Sequence, residues 1–245
     1  MILLLGGTAE ARELAAALDD RGVVVISSLA GRVARPRLPA GSVRIGGFGG
    51  PKALARWLDE HHVGAVIDAT HPFAERISAS AAEACNATGV PRLLLERPGW
   101  TEDAGDRWHP VEDLDAAAAL LPRLGRRALL TTGRQGLERF ATVKGVWFLI
   151  RCVDPPEPPL PESHELLLDR GPYTQAGEGA LIDAHEIDVI VTKDSGGEMT
   201  RPKLDAARER SLPVIVVRRP PRPPGDRVPT VAAALEWALA HAGAG

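Results

Sequence analysis

The chain has 245 residues, of which 44% are hydrophobic and 25% charged, with a formal net charge of −3. That length can bury one large α/β core or two smaller ones. The mild acidic balance argues against a general nucleic-acid binder, which carries a basic excess.

Short apolar runs alternate with helical patterns along the whole chain, as in a parallel α/β sheet. Ile2–Leu5 predicts a buried strand, and Ala11, Leu14, Ala15 and Leu18 share one helical face. The apolar start is too short for a secretion signal or a bilayer span. Val23–Ser27 predicts a second strand and Val43–Ile45 a third, followed by "GGFGG". Pro51 suits the first turn of a helix burying Leu54, Trp57 and Leu58. "VGAVIDAT" (63–70) predicts a fourth strand, with Phe73, Ile77 and Ala81 on the helix after it, and "PRLLLERPGW" (91–100) a fifth.

The polar stretch "TEDAGDRWHP" (101–110) reads as a connection, and a helix follows around Val111–Leu121. The pattern then restarts, with strand, glycine turn and helix in "RALLTTGRQGLERF" (127–140). Further strands are expected at 147–152, 188–193 and 213–217, and Pro202, Leu204 and Ala207 mark a helix. "RRPPRPP" (218–224) reads as a stiff extended linker, and Thr230 caps a final helix burying Val231, Leu235 and Leu239. The fold expected is α/β, with two Rossmann-like modules, largely parallel sheets and a ligand cleft between them. Residues 1–110 form the first module and 111–245 the second, with the boundary near 101–126. Aromatics are scarce at 4%, which suits close helix–sheet packing. Cys85 and Cys152 lie far apart with no metal-type spacing, so both thiols are expected to fill core space in a cytoplasmic protein. No metal site is expected.

Ligands of open parallel sheets bind beyond the carboxyl ends of the strands. In "GGTAE", Gly6 and Gly7 let backbone approach a pyrophosphate, and the N–H groups of Thr8, Ala9 and Glu10 open a helix whose dipole favours an anion. The spacing is not G-x-G-x-x-G, and the alternative is a corner that only closes strand onto helix. After the second strand stand Ser28, Ala30, Gly31 and Arg32, with no acid to hold a ribose 2′-hydroxyl. Arg32 could grip a 2′-phosphate, so NADPH is favoured over NADH; otherwise Arg32 is a solvated loop charge. Phe48 serves as an adenine rest or a core ring. Thr70 and His71 leave the fourth strand near a nicotinamide ribose, with His71 a hydrogen-bond partner of the cofactor, a candidate proton donor or a positional histidine, and Asp68 the residue that fixes the loop.

The second half offers cations and backbone donors: Arg134, Arg151, Lys193, Ser195, Gly196, Gly197, Thr200, Arg201 and Lys203. Such a set suits a carboxylate or phosphate, or else is a group of solvated charges at helix starts. No Walker A, G-x-S-x-G or H-E-x-x-H motif occurs. Tyr173, the only tyrosine, could donate a proton, but "RGPYT" reads more as a turn with a packed ring.

"LLLGGTAEAR", "GGFGG", "IDATHPFA", "ERPGW", "TTGRQGL", "RGPYT" and "VTKDSGG…RPKLDAAR" occur in this order along almost the whole chain. Together they resemble the precorrin-6A reductase family of cobalamin biosynthesis. The resemblance implies two Rossmann-like modules that can exchange a strand, and reduction of one double bond of the precorrin-6A macrocycle by NADPH. It implies cofactor contacts in residues 1–110, and tetrapyrrole contacts through Arg134, Arg151, Lys193, Ser195 and Lys203 in 111–245. Expected partners are the tetrapyrrole and, for hand-over, neighbouring enzymes of the pathway, with no nucleic acid and no membrane. Two alternatives stay open: the cobalt-containing substrate of the anaerobic route, and a nucleotide-sensing module without turnover.

Overall fold

The computed structural model describes residues 1–31 and 38–242. In chain order the elements are β1 (Ile2–Leu5), α1 (Ala9–Asp19), β2 (Val25–Leu29), β3 (Ser42–Ile45), α2 (Pro51–Glu60), β4 (Ala65–Asp68), α3 (Glu75–Thr88) and β5 (Arg92–Leu95). There follow β6 (Trp108–Val111), α4 (Leu114–Leu124), β7 (Arg127–Leu130), β8 (Trp147–Cys152), β9 (His164–Leu168) and α5 (Gln175–Ala184). The chain ends with β10 (Val189–Lys193), α6 (Pro202–Glu209), β11 (Val214–Val217), β12 (Asp226–Val228) and α7 (Val231–Ala242).

Two six-stranded sheets form, ordered β12-β5-β4-β1-β2-β3 and β6-β11-β10-β7-β8-β9. Every pairing within them is parallel. Both orders have the dinucleotide-binding pattern 3-2-1-4-5-6, but each sixth strand comes from outside the run that builds its sheet. β6 precedes β7 and pairs with β11, whereas β12 follows β11 and pairs with β5. The exchange redraws the expected halves. One unit comprises Met1–Pro98 with Pro220–Gly245 and the other Gly99–Arg219, not 1–110 and 111–245.

In the first unit β1 divides its side chains by the two-residue period of a strand. Ile2 and Leu4 join Leu14, Leu18, Ala234 and Ala238 on one face. Leu3 and Leu5 join Leu54, Leu58 and Ala81 on the other. A strand covered on both faces reads as an unbroken apolar run, which is why β1 shows no alternation. In the second unit Leu129, Leu149 and Ile190 pack with Ile182 of α5 and Leu204 of α6. Cys85 and Cys152 are buried free thiols.

Several expectations need correction. The second strand starts and ends two residues later than expected, at Val25–Leu29. The stretch 101–110 is not merely a connection, because Trp108–Val111 pairs with Val214–Val217 at the sheet edge. At an edge the missing N–H of Pro110 need not break a ladder. The helix expected within 127–140 is a single 3₁₀ turn, Leu137–Phe140, entered through Gly136 at φ +86°. β9, α5 and β12 were not anticipated. Leu239 is exposed, since α7 packs through Ala234 and Ala238, whose small side chains sit in the core with Val231 and Leu235 against them.

Candidate functional site

In the first sheet β1 and β4 are neighbours whose onward connections run to opposite sides, and the carboxyl ends of such a pair form the usual ligand crevice. Gly7 leaves β1 at φ +116°, a conformation open to glycine, and among the described residues, its chain neighbours aside, no atom lies within 4 Å of where a Cβ would stand. The next residue, Thr8, is the N-cap of α1. Its hydroxyl accepts from Ala11 N at 3.1 Å and donates to Ala69 O at 2.7 Å, tying the end of β1 to the end of β4. The first N–H groups of α1 have no acceptor within the helix, so the backbone at Ala9 and Glu10 presents donors and the positive end of the dipole. Glu10 would oppose an anion there, but Arg97 pairs with its carboxylate at 2.7 Å. Thr8, Glu10, Thr70 and Arg97 line one small open pocket.

Asp68 closes β4 with no exposed surface, and its Oδ1 accepts from Thr70 N at 3.1 Å and Thr70 Oγ1 at 2.6 Å. It therefore fixes the loop that Thr70 and His71 occupy. The His71 ring is exposed, and its Nδ1 accepts from Phe73 N at 3.3 Å. Arg222 donates to the carbonyls of Thr70 and His71 from beneath this loop.

Ser28 is buried within β2, and its carbonyl accepts from Gly6 N at 2.9 Å. Ala30 and Gly31 are exposed just beyond, with Gly31 at φ +70°. Arg32 lies outside the described residues. Arg44, level with Ser28 in the strand register, is a cation at this edge that the sequence reading missed. It donates to the carbonyls of Gly46 at 2.6 Å and Gly47 at 2.8 Å, with its guanidinium 3.8 Å over the Phe48 ring. Phe48 in turn makes an edge-to-face contact with Trp57 at 5.4 Å, and Arg44 covers one face of its ring.

The second unit repeats the crevice between β7 and β10. Arg134 follows β7 between Gly133 at φ +77° and Gly136 at φ +86°, on a loop and not at a helix N-terminus. Lys193 ends β10 half-buried, and burial draws its ammonium below the ordinary lysine range while the Glu138 charge opposes that shift. Ser195 N donates to Lys193 O at 2.7 Å, and Gly196 and Gly197 follow at φ +64° and +78°. The Ser195 and Thr200 hydroxyls stand 3.4 Å apart. The sequence reading placed these glycines and cations together, and the fold brings them to one sheet end.

Three of the expected ligand contacts have partners within the unit. Arg151 is buried with its guanidinium 2.6 Å from Glu178 Oε1 and 4.0 Å over the Tyr173 ring. Lys203 is buried, donates to Thr200 O at 2.6 Å and lies 4.5 Å over the Trp100 ring. Its ammonium is pulled down to about 7, first by burial and then by the Arg151 charge, with Glu178 opposing. Arg201 pairs with Asp103 and with Asp205. Each cation also meets a group from a distant part of the sequence, Glu178 for Arg151, Asp103 for Arg201 and the Trp100 ring for Lys203, a neighbour that no local motif announces. Arg97, Glu178 and Arg222 were missed for the same reason.

A crevice of backbone donors beside a hydroxyl and an exposed imidazole can hold a dinucleotide and orient its reactive end. Two loops at one sheet end, one carrying Arg134 after β7 and the other following Lys193 with two glycines of positive φ, can receive carboxylates.

The family described as Precorrin-6x reductase CbiJ/CobK matches residues 1–239. Precorrin-6A reductase of Rhodococcus erythropolis is 54% identical over 238 residues, covering 96% of each chain. Cobalt-precorrin-6A reductase of Priestia megaterium is 30% identical, covering 90% of this chain and 91% of its own. The solved structure of CobK precorrin-6A reductase superposes with a TM-score of 0.92 at 43% identity, covering 98% of this chain and 96% of its own.

Proposed function

The chain belongs to the precorrin-6x reductase family, and on that premise we propose that it uses NADPH to reduce one double bond of precorrin-6A, giving precorrin-6B in cobalamin biosynthesis. The observation that carries the cofactor reading is the corner between β1 and α1. Gly7 leaves the backbone open at φ +116°, and the Glu10 charge that would repel a diphosphate is balanced by Arg97. These residues fit the group.

Bound NADPH supplies the hydride. The protein's part is positioning, which makes the transfer effectively intramolecular. Gly6, Gly7 and the backbone of Thr8, Ala9 and Glu10 hold the diphosphate. Arg44 would receive the 2′-phosphate, beside Ser28, Ala30 and Gly31, and Arg32 is proposed for the same phosphate on its position in the sequence alone. Thr70 and His71 would flank the nicotinamide ribose, with the exposed His71 ring the candidate proton donor. In the second unit Arg134, Lys193, Ser195, Gly196, Gly197 and Thr200 take the macrocycle's carboxylates, while Arg151, Lys203 and Arg201 support them from within.

Relatives named for the cobalt-free substrate reach 54% identity and those named for the cobalt-containing one 30%. That grading supports the metal-free ring. Two buried free thiols support a cytoplasmic setting. Among the described residues no helix is long and apolar enough to cross a membrane.

The test is anaerobic mixing of the protein with NADPH and precorrin-6A, following nucleotide absorbance and product mass. Oxidation of NADPH with a mass gain of two hydrogens supports the proposal. Turnover with the cobalt substrate alone would transfer the protein to the anaerobic route, and binding of nucleotide without turnover of either substrate would make it a sensor.

A further inference from the structure

Arg222 lies in the proline-rich segment that carries the chain from β11 back to β12, in what reads locally as a spacer. Its side chain is nevertheless only 2% exposed. The guanidinium uses three of its nitrogens on oxygens of different elements. Nε donates to Glu96 Oε1 at 3.0 Å and Nη1 to Ser78 Oγ of α3 at 2.6 Å. Nη2 lies 3.4 Å from both the Thr70 and the His71 carbonyl oxygens. The Ser78 hydroxyl stands 3.4 Å from Thr70 Oγ1, which donates to Asp68 Oδ1. One buried cation is thus linked, through contacts of 2.6 to 3.4 Å, to the backbone and the side chain of the loop after β4. Among the described residues Asp68 Oδ2 has no hydrogen-bond partner, so this network is anchored at one end on a buried carboxylate with only one oxygen engaged.

We propose that Arg222 is a positioning residue for the cofactor, holding the Thr70–His71 backbone at the angle from which it meets the nicotinamide end. The proposal rests on the NADPH reading above. The physical ground is the shape of the group: a planar fork of five N–H donors reaches a carboxylate, a hydroxyl and two carbonyls at once, and a lysine ammonium cannot. The exchanged connection explains why the residue is here. The segment that must return to place β12 beside β5 passes under the carboxyl end of β4, and its arginine fills that position. The proline-rich stretch therefore serves the site as well as the crossing.

The experiment compares wild type, Arg222→Lys and Ser78→Ala for NADPH dissociation constant, kcat, KM for each substrate and urea midpoint. Arg222→Lys retains the charge opposite Glu96 but loses the fork; Ser78→Ala removes one leg and keeps the Arg222–Glu96 pair. The expected result is a loss of about tenfold or more in kcat/KM for NADPH in Arg222→Lys, because misplacing a positioning group by ~1 Å can cost about 100-fold. Ser78→Ala should show a smaller loss in the same direction, and in both variants KM for precorrin-6A should hold. If both substrates suffer alike and only in proportion to the fall in urea midpoint, Arg222 is a fold stabiliser and the proposal is overturned. Should wild type bind NADPH tightly and both variants match it, the positioning role falls while the cofactor reading stands. Failure of wild type to bind NADPH overturns both.

Discussion

Replacing Thr8 by valine keeps the β-branched shape and removes only the hydroxyl, which makes it a sharp probe of the corner between β1 and α1. That hydroxyl accepts from Ala11 N and donates to Ala69 O. Thr8 is 8% exposed and Ala69 1%, so water has little access to replace either bond. Loss of an N-cap costs about 1 kcal/mol. Loss of the Ala69 bond, with the carbonyl left desolvated, costs about 1–2 kcal/mol more. Thr8→Val should therefore destabilise the first unit by about 2–3 kcal/mol. Thr8→Ser keeps both bonds and deletes one methyl, a change of about 0.8 kcal/mol. The assay is urea titration with hydrogen exchange at the β1 and β4 amides, which reports the first unit by itself, and NADPH affinity measured in parallel. Serine should stay near wild type in both measurements while valine loses stability and affinity together. A valine variant as stable as the serine one would refute the view that this hydroxyl ties the two strand ends.

Arg44→Ala should weaken NADPH binding more than NADH binding, since only the former carries a 2′-phosphate; equal loss for both nucleotides would take Arg44 out of that site. Glu178→Gln leaves the buried Arg151 without its counter-charge and should cost about 3–5 kcal/mol, read as a lower urea midpoint. A midpoint within error of wild type would mean that the pair is solvated. For Lys203 the folded-state value of about 7 lies below its ordinary 10.5, so between those two pH values the unfolded chain binds more protons than the folded one. Stability should thus rise with pH across that window by up to about 1.4 kcal/mol per pH unit from this group, and Lys203→Met should flatten the rise. Identical slopes in the two proteins would place Lys203 in solvent.

How much was legible in advance depends on the distance over which each feature is determined. The glycine corner, the apolar run of β1 and the helical face Ala11–Leu14–Ala15–Leu18 are all settled within a few residues, by φ requirements and by side-chain period, and the sequence alone determined them. The ordered motifs likewise pointed to the family, and the loops bearing Thr70, His71, Arg134 and Lys193 were placed at strand ends by the alternation of strand and helix. The sixth strand of each sheet was a different matter. "WHPV" and "DRV" are short and contain or adjoin a proline, and only the open edges beside β11 and β5 make them strands. The role of each cation was also decided in three dimensions. Arg134 remains on a loop, whereas Arg151 meets Glu178, Arg201 meets Asp103 and Arg222 meets Glu96. A charge in sequence is only a residue type, and what it does follows from the desolvation and the counter-charge that distant segments bring to it.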